Sequence, residues 1–202
     1  TGSGKTEVYM RIIEELLSRG RTAILLVPEI SLTQQMAEQL TARFGDLCVL
    51  LHSRLSAGER FDEWRRIRSG EARVVIGARS AVFAPVENLG AIIIDEEHES
   101  SYLADNYPSY DAREIAQERC AINRALLLLG SATPSVSTYM RTLAGVRPEN
   151  KLTLIEMAER VNRRALPEVK IIDMRKELLR GNRSIFSGEL KQALDETFRA
   201  GE

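Results

Sequence analysis

Five short apolar runs constrain this chain more than any other feature. Thr22 to Val27, Leu47 to Leu51, Arg73 to Gly77, Ala91 to Asp95 and Ala125 to Gly130 are of strand length and nearly continuous, with no polar alternation. Continuous runs belong to strands covered on both faces, as in a parallel sheet between helix layers. Between them lie stretches of helix length: Lys5 to Arg19, Leu32 to Phe44, Ala57 to Ser69, Asp111 to Asn123 and Pro134 to Leu143. In the first, Val8, Ile12, Ile13, Leu16 and Leu17 share a stripe at helical spacing, and Gly20 supplies a stop. Ser31 and Ser56 stand where N-caps are expected. This alternation predicts a doubly wound α/β domain. After about Leu143 the pattern changes. Leu152 to Met157, Asn162 to Pro167 and Glu168 to Asp173 read as a connecting segment with a further strand, and Ser187 to Arg199 as one more helix.

The runs are too short for a membrane, since a spanning helix needs roughly 18 apolar residues, and no leader pattern precedes TGSGKT. A secretory or membrane destination is therefore not expected. Cys48 and Cys120 are too few for a four-thiolate zinc site or a disulfide framework, and they read as reduced, buried thiols of a cytosolic protein. The net charge of −1 is unevenly spread: Asp95 to Glu118 holds eight acidic residues and one basic, net −7, within an otherwise basic chain. The basic residues are 23 Arg and 5 Lys, a bias toward the better fork for phosphate.

Three motifs carry the chemistry. Thr1-Gly2-Ser3-Gly4-Lys5-Thr6 is the back end of G-x-x-x-x-G-K-[ST], whose first Gly would lie two residues before Thr1. Its glycines let backbone N–H groups close on phosphate oxygens at a helix N-terminus. Lys5 can then reach the β and γ phosphates, and the Thr6 hydroxyl can ligate Mg²⁺. The alternative is a Gly/Ser-rich linker running into a helix. Second, Ala91 to Glu96 is an apolar strand ending in carboxylates, with Asp95 suited to hold Mg²⁺ and Glu96 to orient the attacking water. Acids that merely end a strand explain one Asp better than the four carboxylates Asp95, Glu96, Glu97 and Glu99, which repel each other unless a cation offsets them. Third, Gly130-Ser131-Ala132-Thr133-Pro134 follows the last apolar run; alone it reads as a turn and N-cap.

In this order, GKT, DEEH and GSATP resemble motifs I, II and III in lobe one of superfamily 2 helicases. Val27 to Thr33, Leu51 to Ser56, Glu59-Arg60, Gly77 to Pro85, Pro167 to Arg175 and Gly181 to Ser184 make the chain similar to the primosomal replication-restart helicases, the PriA family, along nearly its whole length. The resemblance implies a RecA-like, P-loop NTPase three-layer sandwich with a mostly parallel sheet lacking its first strand. It implies lobe one over 1–145, a connecting segment over 146–186 and the first helix of lobe two over 187–202. The implied activity is ATP-dependent 3′–5′ DNA unwinding in replication restart and primosome assembly. The implied cofactors are ATP and Mg²⁺, with zinc expected only elsewhere in the parent protein. Partners would be single-stranded and forked DNA, primosome proteins and single-strand-binding proteins, in the bacterial cytoplasm at the nucleoid. The residues alone are expected to bind nucleotide and DNA without efficient turnover. The alternatives are a branch-migration or restriction-type translocase, or a non-catalytic binding module.

By resemblance, Glu7 joins Gly2, Ser3, Gly4, Lys5 and Thr6 at the nucleotide, Lys5, Asp95 and Glu96 are catalytic, and His98, Ser131 and Thr133 couple the motifs. His98 is equally well read as a salt-bridged surface residue. Tyr102, Tyr107 and Tyr110 fall within nine residues and offer stacking platforms for unpaired bases, with Arg113, Arg79 and Ser80 as further DNA contacts; a tyrosine-bearing turn packed on the sheet is the alternative. This stretch departs from the family pattern at Leu103, Ala104, Ser109 and Asp111, where polar or cationic residues are usual. Phe61 and Trp64 share a stripe with Ile67 and Arg68 and are expected in the core, although the neighbouring Arg60, Arg65, Arg66 and Arg68 could suggest a nucleic-acid face.

Overall fold

The computed structural model describes residues 4–28, 34–105, 107–147, 151–157 and 169–201, with backbone alone at 34–37. Five strands form one sheet: β1 (Thr22–Leu26), β2 (Cys48–Leu51), β3 (Val74–Gly77), β4 (Leu89–Ile94) and β7 (Leu126–Leu129), in the order β2-β3-β1-β4-β7, every pair parallel. A two-stranded antiparallel ladder pairs β5 (Leu103–Ala104) with β6 (Tyr110–Asp111). The helices of this unit are α1 (Lys5–Ser18), α2 (Gln34–Phe44), α3 (Ala57–Arg68), α4 (Ala112–Asn123) and the short α5 (Val136–Met140).

The period-2 geometry of the strands divides the core. Ala23, Leu25, Val74, Ile76, Ala91 and Ile93 pack with Tyr9, Met10 and Ile13 of α1 and with Leu40 and Phe44 of α2. Their neighbours Ile24, Leu26, Val49, Val75, Ile92 and Ile94 pack with Ile67 of α3 and with Ala112, Ala116 and Cys120 of α4. The result is the expected three-layer α/β sandwich. Burying β1, β3 and β4 on both faces explains their unbroken apolar sequences. Ser56 caps α3 in a reciprocal box with Glu59.

Several expectations need correction. The sequence predicts Ala125 to Gly130 to be covered on both faces, but among the described residues β7 pairs with β4 alone and stays partly open, with Leu126 exposed. The buried face of α1 is centred on Tyr9, Met10 and Ile13, and Val8, assigned to the stripe, is exposed. Phe61 and Trp64 are not core: they are 64% and 38% exposed and line a groove of about 560 Å³ with Leu55, Arg60, Arg65 and Arg68. Ile67 is the buried residue of α3, because the helix lays its Ile67 side on the sheet and turns the aromatic side out. The helix read over Pro134 to Leu143 shortens to α5. Described residues 151–157 form no strand; Leu152 N donates to Arg141 O at 2.9 Å, and a strand needs a whole ladder of such partners. Ser31 and Asn162 to Pro167 lie outside the described residues.

The chain divides into two compact units, Thr1–Asn162 and Arg163–Glu202. In the second, 169–173 is irregular where a strand was read, and helix α6 (Met174–Leu179) follows, capped by Asp173. Helix α7 (Gly188–Ala200) starts at the Ser187 cap, as the sequence predicts. Glu177 ties the two, accepting from Gly188 N at 2.8 Å and Asn182 Nδ2 at 2.9 Å.

Candidate functional site

Parallel pairing brings the carboxyl ends of β1, β4 and β7 to one side of the sheet. Helix α1 starts at Gly4, whose φ of 87° is left-handed and natural only to glycine. This placement lets Lys5 Nζ meet Glu96 Oε1 at 2.9 Å across 91 residues of sequence, in a pair that is 17% and 23% exposed. Thr6 lies half-buried on the same first turn.

The backbone around Asp95 and Glu96 is tightly held. Glu96 sits at φ 46°, a left-handed conformation that costs a residue bearing a Cβ about 1–2 kcal/mol. Its neighbours hold it there: Asp95 N donates to Leu26 O, Glu97 N to Gly130 O and Glu99 N to Glu96 O, each at 2.9–3.0 Å. Two tyrosines grip Asp95. The Tyr9 hydroxyl donates to Asp95 Oδ1 at 2.9 Å, and the Tyr102 hydroxyl to the Asp95 carbonyl at 2.7 Å. Burial pushes the Asp95 carboxyl above its usual range, while the Tyr9 donation and the charge of Lys5 pull it back. The same burial, beside Asp95, raises both phenols, so each stays a donor.

Asp95, Glu96 and Glu97 each have a partner on another element, and Glu99 shares His98 with Glu96. Glu96 takes Lys5. Glu97 is 1% exposed and accepts from Ser135 N at 2.7 Å, Ser135 Oγ at 3.3 Å and Thr138 Oγ1 at 2.9 Å. His98 Nδ1 meets Ser131 Oγ at 2.8 Å and lies 3.6 Å from Glu96 Oε2, and its Nε2 is 3.9 Å from Glu99. The Ser131 hydroxyl also accepts from Thr133 N at 3.0 Å, while the Thr133 side chain is exposed. Of the expected coupling set, the fold thus joins His98 to Ser131 and involves Thr133 through its backbone.

Other assignments move. Gly2 and Ser3 lie outside the described residues, as do positions 29–33. The Glu7 side chain is engaged elsewhere on the helix layer, with Arg43 at 2.7 Å and Arg11 at 2.9 Å, which hold its carboxyl down at about 2. Tyr102 is 1% exposed and offers no stacking face. Its ring fills the core between β4 and α4, so it serves as a fastener for Asp95. Arg113 is occupied as well, binding Asp111 at 2.6 Å and the Glu97 carbonyl at 2.9 Å.

Leu103, Ala104, Ser109 and Asp111 have structural roles. Leu103 and Ala104 form β5, Ser109 Oγ donates to Ala104 O at 2.8 Å, and Asp111 caps α4 while pairing with Arg113. These residues build and anchor a small hairpin. Tyr107 stands at its tip, fully exposed. Tyr110 is half-buried, edge-on to Phe83 at 5.0 Å, with the Arg79 guanidinium 5.7 Å from its ring centre. Arg79 also donates to Ser101 O at 3.2 Å, and Ser80 is exposed beside it.

Sequence reasoning missed Tyr9, Ser135 and Thr138, and treated Glu97 only as one acid of a cluster. Tyr9 carried a signal: a phenol beside Met10 and Ile13 on a helix bound for the core needs a buried partner. Nothing local in the sequence marks Ser135 and Thr138 as partners of Glu97, about 40 residues earlier.

Comparison with known proteins bears on the family. The chain is 52% identical over its whole length to the replication restart protein PriA of Bacillus subtilis (strain 168), covering 24% of that protein. It is 48% identical over 97% of its length to the PriA protein of Synechocystis sp., covering 24% of it. It is 44% identical over its whole length to that of Treponema pallidum, covering 29%. The chain therefore spans about a quarter of the length of the curated relatives it matches. The family model for DEAD/DEAH box helicases matches residues 1–142, and the chain belongs to that family.

Proposed function

We propose that this chain is the first motor lobe of an ATP-dependent 3′–5′ DNA helicase that acts in replication restart and primosome assembly. In this reading lobe one covers 1–145, a connecting segment 146–186, and the first helix of lobe two 187–202. The meeting of Lys5 with Glu96, beside Asp95, carries the proposal: it joins a phosphate-binding loop to the carboxylates that phosphoryl transfer to water requires.

The residues fit ATP·Mg²⁺. Thr6 and Asp95 offer hard oxygens, and Asp95 is a partly desolvated carboxylate whose charged form gains from a cation. Such an ion neutralises charge developing on the transferring phosphoryl group. The protein supplies the rest. Amides of the first turn of α1 point at the phosphates with the positive end of the helix dipole behind them. Arriving phosphate competes with Glu96 for Lys5, and the released Glu96 carboxylate holds the water for in-line attack. His98, through Ser131, passes the position of the carboxylates to the turn at 131–133.

DNA is proposed to meet the exposed tip at Tyr107, the Tyr110 edge and Arg79 with Ser80, where stacking and guanidinium contacts suit single-stranded and forked DNA. Primosome and single-strand-binding proteins are the proposed partners, in the bacterial cytoplasm at the nucleoid. No described helix is long and apolar enough to cross a membrane. The test is ATP hydrolysis by the intact protein with and without single-stranded DNA. Stimulation that is lost in Glu96→Gln supports the reading; a Glu96→Gln protein hydrolysing at the wild-type rate overturns the catalytic assignment.

A further inference from the structure

Tyr9 lies one helical turn past Lys5 on α1 and is 3% exposed. Its hydroxyl donates to Asp95 Oδ1 at 2.9 Å, across 86 residues of sequence. The same oxygen lies against Gly130: a Cβ on Gly130 would stand 1.7 Å from it, far inside any allowed contact. Gly130 N in turn donates to Ile94 O at 2.8 Å, joining the ends of β7 and β4. The three elements bearing the phosphate loop, the carboxylates and the 131–133 turn therefore meet at one phenol oxygen.

Packing alone does not require that oxygen. A phenylalanine ring would fill the same volume among Met10, Ile13 and Ala91 without burying a hydroxyl that then needs a partner. The partner found is the carboxylate that the proposed function assigns to the cation. A carboxylate free to rotate about its terminal torsion presents its oxygens in many directions, and a single buried donor removes most of that freedom.

We propose that Tyr9 is a positioning residue for Asp95: donation from its hydroxyl holds the carboxylate in the orientation that receives the cation, and Gly130 is glycine because the hydroxyl occupies the space of a side chain. The inference rests on the reading of Asp95 as the cation's carboxylate. It goes beyond that reading by tying cation binding to α1 and to the end of β7.

Tyr9→Phe in the intact protein tests it, since the ring is kept and the hydroxyl alone is lost. Mn²⁺ serves as the probe, titrated by electron paramagnetic resonance in the presence of ATPγS. Loss of an outer hydrogen bond to a metal ligand costs roughly 10–100-fold in metal affinity or activity. Tyr9→Phe is therefore expected to weaken Mn²⁺ binding about tenfold and to lower kcat of DNA-stimulated hydrolysis, while a fluorescent ATP analogue in EDTA binds as to wild type. Tyr9→Leu, which also removes the ring, should lose thermal stability in addition. If Tyr9→Phe matches wild type in Mn²⁺ affinity and kcat, and only Tyr9→Leu is impaired, Tyr9 merely packs and the proposal is overturned while Asp95 keeps its role. Asp95→Asn is the reference: wild-type Mn²⁺ affinity and turnover in that variant would overturn the reading of Asp95 and the role of Tyr9 with it.

Discussion

Residues 95–99 and 102–113 are close neighbours in the sequence, both dense in polar and aromatic groups, and the fold uses them in opposite ways. The first converges: Asp95, Glu96, Glu97 and His98 each find a partner on another element, namely Tyr9, Lys5, Ser135 with Thr138, and Ser131. The second disperses: Tyr102 is buried, Tyr110 is half-buried against Phe83, and Tyr107 is fully in solvent. A cluster in sequence is a cluster in space only where strand ends gather it. Residues 95–99 follow a central strand with neighbours on both sides, whereas 103–111 is a hairpin whose strands have two residues each.

The contrast can be broken by substitution. Glu96→Gln should have the largest effect, lowering DNA-stimulated ATP hydrolysis roughly 10²–10⁴-fold if it places the water, with ATP affinity retained. Tyr102→Ala should destabilise the fold by about 3–5 kcal/mol in urea titrations, because it empties a core position and frees the Asp95 carbonyl; a loss of DNA stimulation without a stability change would return Tyr102 to the stacking surface. Glu97→Ala should cost about 2–3 kcal/mol by the same measurement, since it removes a buried carboxylate that accepts charge-assisted hydrogen bonds from the half-buried Ser135 and Thr138. Tyr107→Ala should leave stability within about 0.5 kcal/mol and weaken single-stranded DNA binding by about 1–3 kcal/mol.

The smallest effect concerns acid. Arg43 binds Glu7 and Glu14 of α1, and both carboxyls are lowered, Glu7 to about 2 from an ordinary 4.5. A lowered carboxyl stabilises the folded state above its unfolded pKa, and that contribution is lost as pH falls through the folded value. Thermal stability should therefore decline between about pH 4.5 and pH 2, and Arg43→Ala should flatten that decline by lowering stability slightly at pH 7, where the contribution is fully present, while matching wild type near pH 2.

Much of this was legible beforehand, for reasons visible in particular residues. The strands at Thr22, Arg73 and Ala91 were readable because burial on both faces demands unbroken apolar sequence, and those at Leu47 and Ala125 share the apolar run although they are edge strands and only partly covered. Lys5, Thr6, Asp95 and Glu96 were readable because their chemistry needs fixed types next to strand and helix ends. Helix α6 was missed although Asp173 and the helix formers after it signalled a start, because Val169, Ile171 and Ile172 suggested a strand. Phe61 and Trp64 were misplaced because spacing reveals a stripe but not what lies opposite it.

The sequence by itself therefore determined the alternation of elements, the layers and the residue types of the proposed nucleotide site, all of which depend on local periodicity and short motifs. Only the tertiary structure decided that Lys5 meets Glu96, that Tyr9 and Tyr102 hold Asp95 from two sides, that Glu7 pairs with Arg43, and that Tyr107 alone of its cluster is free. Those outcomes depend on which partner a polar group reaches once water is excluded, and that partner lies anywhere from a few to 91 residues along the chain.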